Sequence, residues 1–189
     1  MANGNSPFGL KPVRHRNGAP YNGAVNLYYV PASDSTAIFI GDAVKSAGSA
    51  DAATGVPTVA QAAAGDTIRG VVVGVVPDTA QSLTYRAAST ARYLLIADDP
   101  DLEFEVQEDA VGGALALASV GLNADIVVGS GSTTTGLSAM QLDTSTVTTS
   151  SAQLRILGFV NRVDNEFASA NAKVRVMINE HELKATTGV

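Results

Sequence analysis

The chain contains no cysteine, which excludes disulfides, thiolate nucleophiles and Cys-ligated zinc. It has no tryptophan, and aromatic residues make up only 5%, leaving few rings for a sugar-binding platform. Histidine is confined to His15 and His181, so general acid–base or triad chemistry has little to work with. No apolar run approaches the ~20 residues of a membrane-spanning helix, and the N-terminus lacks the basic-then-apolar order of a signal peptide. The expectation is a soluble chain made in a reducing cytoplasm, with no membrane partner. Positive charge is also scarce: 12 Lys plus Arg stand against 18 Asp plus Glu, a net charge of −6. Such a chain gains no counterion-release energy from phosphate, so nucleic acid is not an expected partner.

Apolar residues are plentiful, at 46% of 189 positions, which places the chain with globular proteins rather than disordered ones. One domain of this length buries roughly 70% of the surface that its unfolded form exposes. Ala and Val dominate that apolar content. Small side chains bury little area each, so a large interface between subunits would supplement the core.

Residues 1–25 are punctuated by Pro7, Pro12 and Pro20 and by Gly4, Gly9, Gly18 and Gly23, which suits neither a helix nor a central strand. The segment is basic at Lys11, Arg14, His15 and Arg16, with Phe8, Leu10, Val13 and Tyr21 as spaced apolar anchors. It reads as an extended arm that orders on a partner. From residue 26 to 184 short β-rich runs alternate with turn residues: 27–31, 37–45, 65–77, 91–97, 102–108, 124–128, 154–163 and 172–183. Residues 46–55 read as a mobile loop, 114–120 as the one short helix and 185–189 as a flexible tail. Leu102, Phe104 and Val106 alternate with Glu103, Glu105 and Gln107, the pattern of a half-buried strand in a hairpin with 91–97. Val174, Val176 and Ile178 alternate likewise in a second hairpin with 154–163. The predicted fold is mostly β: a compact barrel or jelly-roll-like sandwich of short antiparallel strands, with an N-terminal arm and at most one or two short helices.

No catalytic, cofactor or metal constellation emerges. Glu180 and Glu182 flank His181, but adjacent strand residues point to opposite faces, so an ordinary surface or interface histidine is expected. The carboxylates from Asp98 to Asp109 lack the spacing of a calcium loop and read as a solvated acidic hairpin, available to a basic patch such as a neighbour's arm. Gly129 to Gly136 lacks the Gly-Lys-Ser/Thr ending of a phosphate loop. Gly70 and Gly74 are expected to permit a bend or close backbone packing.

Several phrases carry a family resemblance: SPFGLKPVRHRNGAPYNGA, ARYLLIADDPDLEFEVQED, NADIVVGSGST, LRILGFVNRVDNE and NAKVRVMINEHEL. Together they resemble tailed-bacteriophage capsid cement, or head decoration, proteins over nearly the whole chain. The resemblance implies a non-enzymatic virion protein on the capsid exterior, made in the host cytoplasm and bridging major capsid protein subunits. It also implies a homo-oligomer, a trimer before a dimer. Phe8, Leu10, Lys11, Arg14, His15, Arg16 and Tyr21 of the arm would be the capsid-binding residues. A tail, fibre or host-surface carbohydrate-binding protein is the alternative, with a small polysaccharide- or cell-wall-degrading enzyme behind it.

Overall fold

The computed structural model describes residues 3–184; the expected tail and the first two residues of the expected arm lie outside that range. The fold is mostly β, as the alternating runs predict, and has two parts. Strands β2 (Asn26–Val30), β3 (Ala43–Ala50), β4 (Pro57–Gln61), β5 (Gly70–Val75) and β6 (Arg92–Ala97) close a barrel in the order β2-β4-β3-β5-β6. Strands β1 (Lys11–His15), β7 (Leu102–Gln107), β12 (Lys173–Ile178), β11 (Leu154–Phe159) and β8 (Asn123–Ala124) form an open sheet in that order. A two-stranded ribbon joins β9 (Ile126–Val127) to β10 (Gln141–Leu142). One barrel contact departs from the antiparallel expectation, because β2 meets β4 in parallel at Tyr29 and Thr58.

The barrel is filled by Tyr28, Val30, Val44, Val59, Val72, Leu94 and Ile96, with Ile38 from a preceding loop. These are the inward positions of strands whose side chains alternate across the wall. The expected strand at 37–45 is interrupted by Gly41 at φ +97°, so only its end joins β3. Residues 46–50, read as loop, instead continue β3 and pair with β4. Gly70 fills the close-packing role expected of it: a Cβ there would stand 2.6 Å from the Ala97 carbonyl oxygen. Gly74 follows a register shift between β5 and β6, where the strand bends.

The acidic hairpin is the clearest correction. β6 and β7 do not pair; Asp98 to Asp101 carry the chain out of the barrel and into the open sheet. There β7 lies between β1 and β12 and is buried at all six positions. The pairing of β11 with β12 matches the second expected hairpin. The expected helix at 114–120 shrinks to a single 3₁₀ turn at Leu117–Ser119. Glycines at 112, 113 and 121 bound it, leaving too few residues to repay helix nucleation.

Residues 3–25 are not detached from the body. β1 is the edge strand of the open sheet, and Leu10 is 1% exposed within its core. An edge position accommodates Pro12, which has no ladder donor. Docking depends on a close backbone approach: the Leu10 amide donates to the Gly41 carbonyl at 2.9 Å, and a Cβ on Gly9 would meet that same oxygen at 2.5 Å. Gly9 also holds φ +74°, a conformation that other residues adopt at a cost.

Candidate functional site

The residues expected to act together in the arm divide into two groups on the folded chain. Phe8, Leu10, Lys11 and Tyr21 line a groove of about 1190 Å³ where the N-terminal segment crosses from the open sheet to the barrel. Arg14, His15 and Arg16 sit further along, over the carboxylates of the β6–β7 crossing and of β7.

The groove is mainly apolar. Its floor includes Ile40, Val72 and Val73, and its rim carries Leu137 and Val163. Val163, in the turn joining β11 to β12, is fully exposed, an unusual position for a large apolar side chain. One wall is pinned by an ion-pair chain. Arg162 donates to both Glu105 oxygens, at 3.0 and 2.7 Å, and through Nε to Asp164 at 3.1 Å. Lys173 Nζ reaches the other Asp164 oxygen at 2.5 Å. Hydrogen bonds and charge from Lys173 and Arg162 hold the Asp164 carboxyl below its ordinary range. Lys11 is exposed and has no ion-pair or hydrogen-bonding side-chain partner among the described residues. Tyr21 packs half-buried, its hydroxyl donating to the Ala24 carbonyl at 3.1 Å, and burial raises its pKa.

Within the basic group, Arg14 and His15 are committed to the chain's own acids, while among the described residues Arg16 is held only through its backbone. Arg14 Nε donates to Glu103 at 2.7 Å, and Arg175 reaches the same carboxylate at 3.4 Å. His15 Nδ1 stands 3.1 Å from Asp99, and the Arg16 amide donates to the Asp101 carbonyl at 2.7 Å. The acidic run is therefore only partly solvated: Glu103 and Glu105 are covered by Arg14, Arg175 and Arg162, whereas the Asp99 and Asp101 side chains still meet solvent. Asp98 leaves the run altogether and seals the barrel end, accepting from Tyr28 at 2.6 Å and Asn26 at 2.8 Å. Arg69 donates to the Tyr28 hydroxyl at 2.7 Å, and burial with the neighbouring Asp98 raises the Tyr28 pKa to about 12. Glu108 is buried and held by the amides of Ala110 and Ala172, with its pKa raised by burial. Among the described residues, no three His, Asp or Glu side chains are grouped to hold a metal ion.

His181 is enclosed rather than at the surface, at 2% exposure. Its Nδ1 accepts from the Leu183 amide at 3.1 Å, whereas Nε2 has no hydrogen-bond partner among the described residues. Burial, with Lys184 and Arg69 nearby, lowers its pKa to about 4. The groove itself was beyond sequence reasoning, because its walls come from segments far apart in the chain. The sequence singled out Phe8, Leu10, Lys11 and Tyr21 of its lining, but Val163 was expected at the end of the strand over 154–163, whereas β11 ends at Phe159. No protein-family model, curated protein or solved structure matches the chain. No helix among the described residues is long and apolar enough to cross a membrane.

Proposed function

We propose that this chain is a structural virion protein that binds the outer surface of an assembled bacteriophage capsid and stabilises it by bridging major capsid protein subunits. The observation that carries the reading is the apolar groove with exposed Val163 and Leu137 at its rim, formed where the N-terminal segment docks. A compact β body with one such surface is suited to adhesion. The phrase-level resemblance to cement proteins supplies the setting. The reading is non-enzymatic: His181 is enclosed, and His15 is engaged with Asp99. A ligand that binds the assembled lattice more tightly than free subunits stabilises it by linkage, and self-association into a trimer would multiply weak contacts by avidity.

The test is co-sedimentation of the purified chain with expanded shells and, separately, with unassembled shell protein. Binding to the shells alone, with a rise in their melting temperature, is the expected result. Val163→Asp, at a fully exposed position, should weaken that binding at least tenfold while leaving the chain folded. Failure of the unaltered chain to bind shells would refute the proposal. Deleting the whole N-terminal segment is a poorer test, since it also removes Leu10 from the core and the edge neighbour of β7.

A further inference from the structure

The groove lies between two strands that each have a partly vacant side. β5 pairs with β6 along 71–75, but its β3 neighbour ends at Gly70 and Val71, with two further backbone bonds joining Val72 to residues 41 and 42. Beyond Val72, therefore, β5 has a ladder neighbour on the β6 side only among the described residues, and Val73 is the position there that lines the groove. On the opposite bank, Pro20 and its neighbours cover β1 at Val13 to His15, while Lys11 and Pro12 are paired with β7 alone. Pro12 has no amide hydrogen to offer, so β5 is the better bank for an added strand. At about 1190 Å³ the groove exceeds the roughly 300–1,000 Å³ typical of small-ligand pockets.

Charge narrows the occupant further. Glu105 and Asp164 are already engaged by Arg162 and Lys173, whereas Lys11 has no partner among the described residues. The lining thus carries one uncompensated positive charge on a chain whose net charge is −6. A second copy of the whole chain would bring net like charge, and a purely apolar occupant would leave Lys11 unanswered.

We propose that this groove holds an extended polypeptide segment with alternating apolar side chains and one carboxylate, laid along β5 as an added strand and paired through that carboxylate with Lys11. Backbone pairing to a sheet edge supplies affinity in such complexes, and pockets for alternate side chains supply selectivity. Assigning the segment to the capsid shell protein rests on the proposed function; the chemistry of the groove does not.

The probe is a panel of eight-residue peptides in which Val, Ile or Leu alternates with Thr or Ser and one polar position is Glu. They are titrated into the full chain by fluorescence anisotropy. At least one member should bind, with hydrogen-exchange protection at residues 73–75. Lys11→Gln should weaken that binding several-fold. Lys11→Glu should weaken it at least tenfold and restore it when the peptide's Glu becomes Lys. Thermal unfolding of both variants checks that the fold survives, since Lys11 stands opposite Glu105 in the ladder. The proposal is overturned if no peptide binds, if binding is indifferent to both Lys11 variants, or if the chain forms a dimer that Lys11→Glu dissociates. Peptide binding by a chain that ignores assembled shells would support the groove's role and remove the shell reading.

Discussion

The barrel and the open sheet solve the same problem of burial by different means. Among the described residues the barrel's own cluster has eight buried apolar residues, and the barrel closes on itself, so its weak points are its ends. Those ends are sealed with polar groups: the Asp98, Tyr28 and Arg69 network at one, and elsewhere Arg86. Arg86 is fully buried and donates to the carbonyls of Pro31, Asp34, Thr36 and Thr90 and to the Asp34 carboxylate. Among the described residues, the sheet packs in a cluster of nineteen buried apolar residues, three of which, Ala43, Val71 and Ala97, come from barrel strands, but the sheet has two open edges, one made by the N-terminal segment. The barrel thus depends on satisfied hydrogen bonds where the sheet depends on packing and a docked edge.

The largest expected effects set those two dependences side by side. Arg86→Ala leaves a carboxylate and several carbonyls in the loop around Asp34 without their donor, and should cost about 3–5 kcal/mol in chemical denaturation. Leu10→Ala opens a cavity in the sheet core and should cost about 2–5 kcal/mol. A loss under about 1 kcal/mol for Arg86→Ala would mean that the barrel closes without its polar seal.

Acidification acts at the joint between the two parts, where His181 bridges to Ile68. The folded chain holds this histidine at about 4 against an ordinary 6.5. Between those values the unfolded chain takes up a proton that the folded chain refuses. Stability from this group is therefore complete above about pH 6.5 and declines as pH falls toward 4, by roughly 2–4 kcal/mol. Asp42 and Glu108, both raised by burial, act with the opposite sign and favour the folded chain on acidification. His181→Gln should flatten the decline between pH 6.5 and 4; an unchanged profile would place the acid sensitivity elsewhere.

The smallest effects compare one ion pair from each part. Arg14→Ala partly uncovers Glu103, whose side chain is 7% exposed, and should cost about 1–3 kcal/mol. Lys45→Ala breaks the more exposed pair with Asp66 on the barrel and should cost about 0–1 kcal/mol. Equal losses would erase the distinction between a covering charge and a surface one.

Alternation made β7 and β12 visible in the sequence, and β-branched runs bounded by Gly or Pro did the same for β5. What alternation could not show was which face meets water. Glu103 and Glu105 alternate as solvent-facing residues do, yet they are buried because arginines from three separate segments lie over them. Residues 46–50 were misread because Ala, Gly and Ser carry little strand propensity; the pairing with β4 overrides it. The spaced apolar and basic residues of the N-terminal segment were legible in the sequence as a distinct segment. Their division into a groove-lining group and a basic group, in which Arg14 and His15 bond the chain's own acids, was not, because it depends on contacts with residues some 90 positions away.

That distance has a consequence for the order of events at the ribosome. Lys11 is aligned with Glu105, so β1 has no sheet to join until its partner has been synthesised. At roughly 5–20 residues per second this is a wait on the order of 5–20 s. Gly41 emerges sooner, but its backbone contact with Gly9 closes only a smaller loop. In co-translational order, β1 precedes the barrel strands but becomes a late arrival, docking after the barrel beside it has been made.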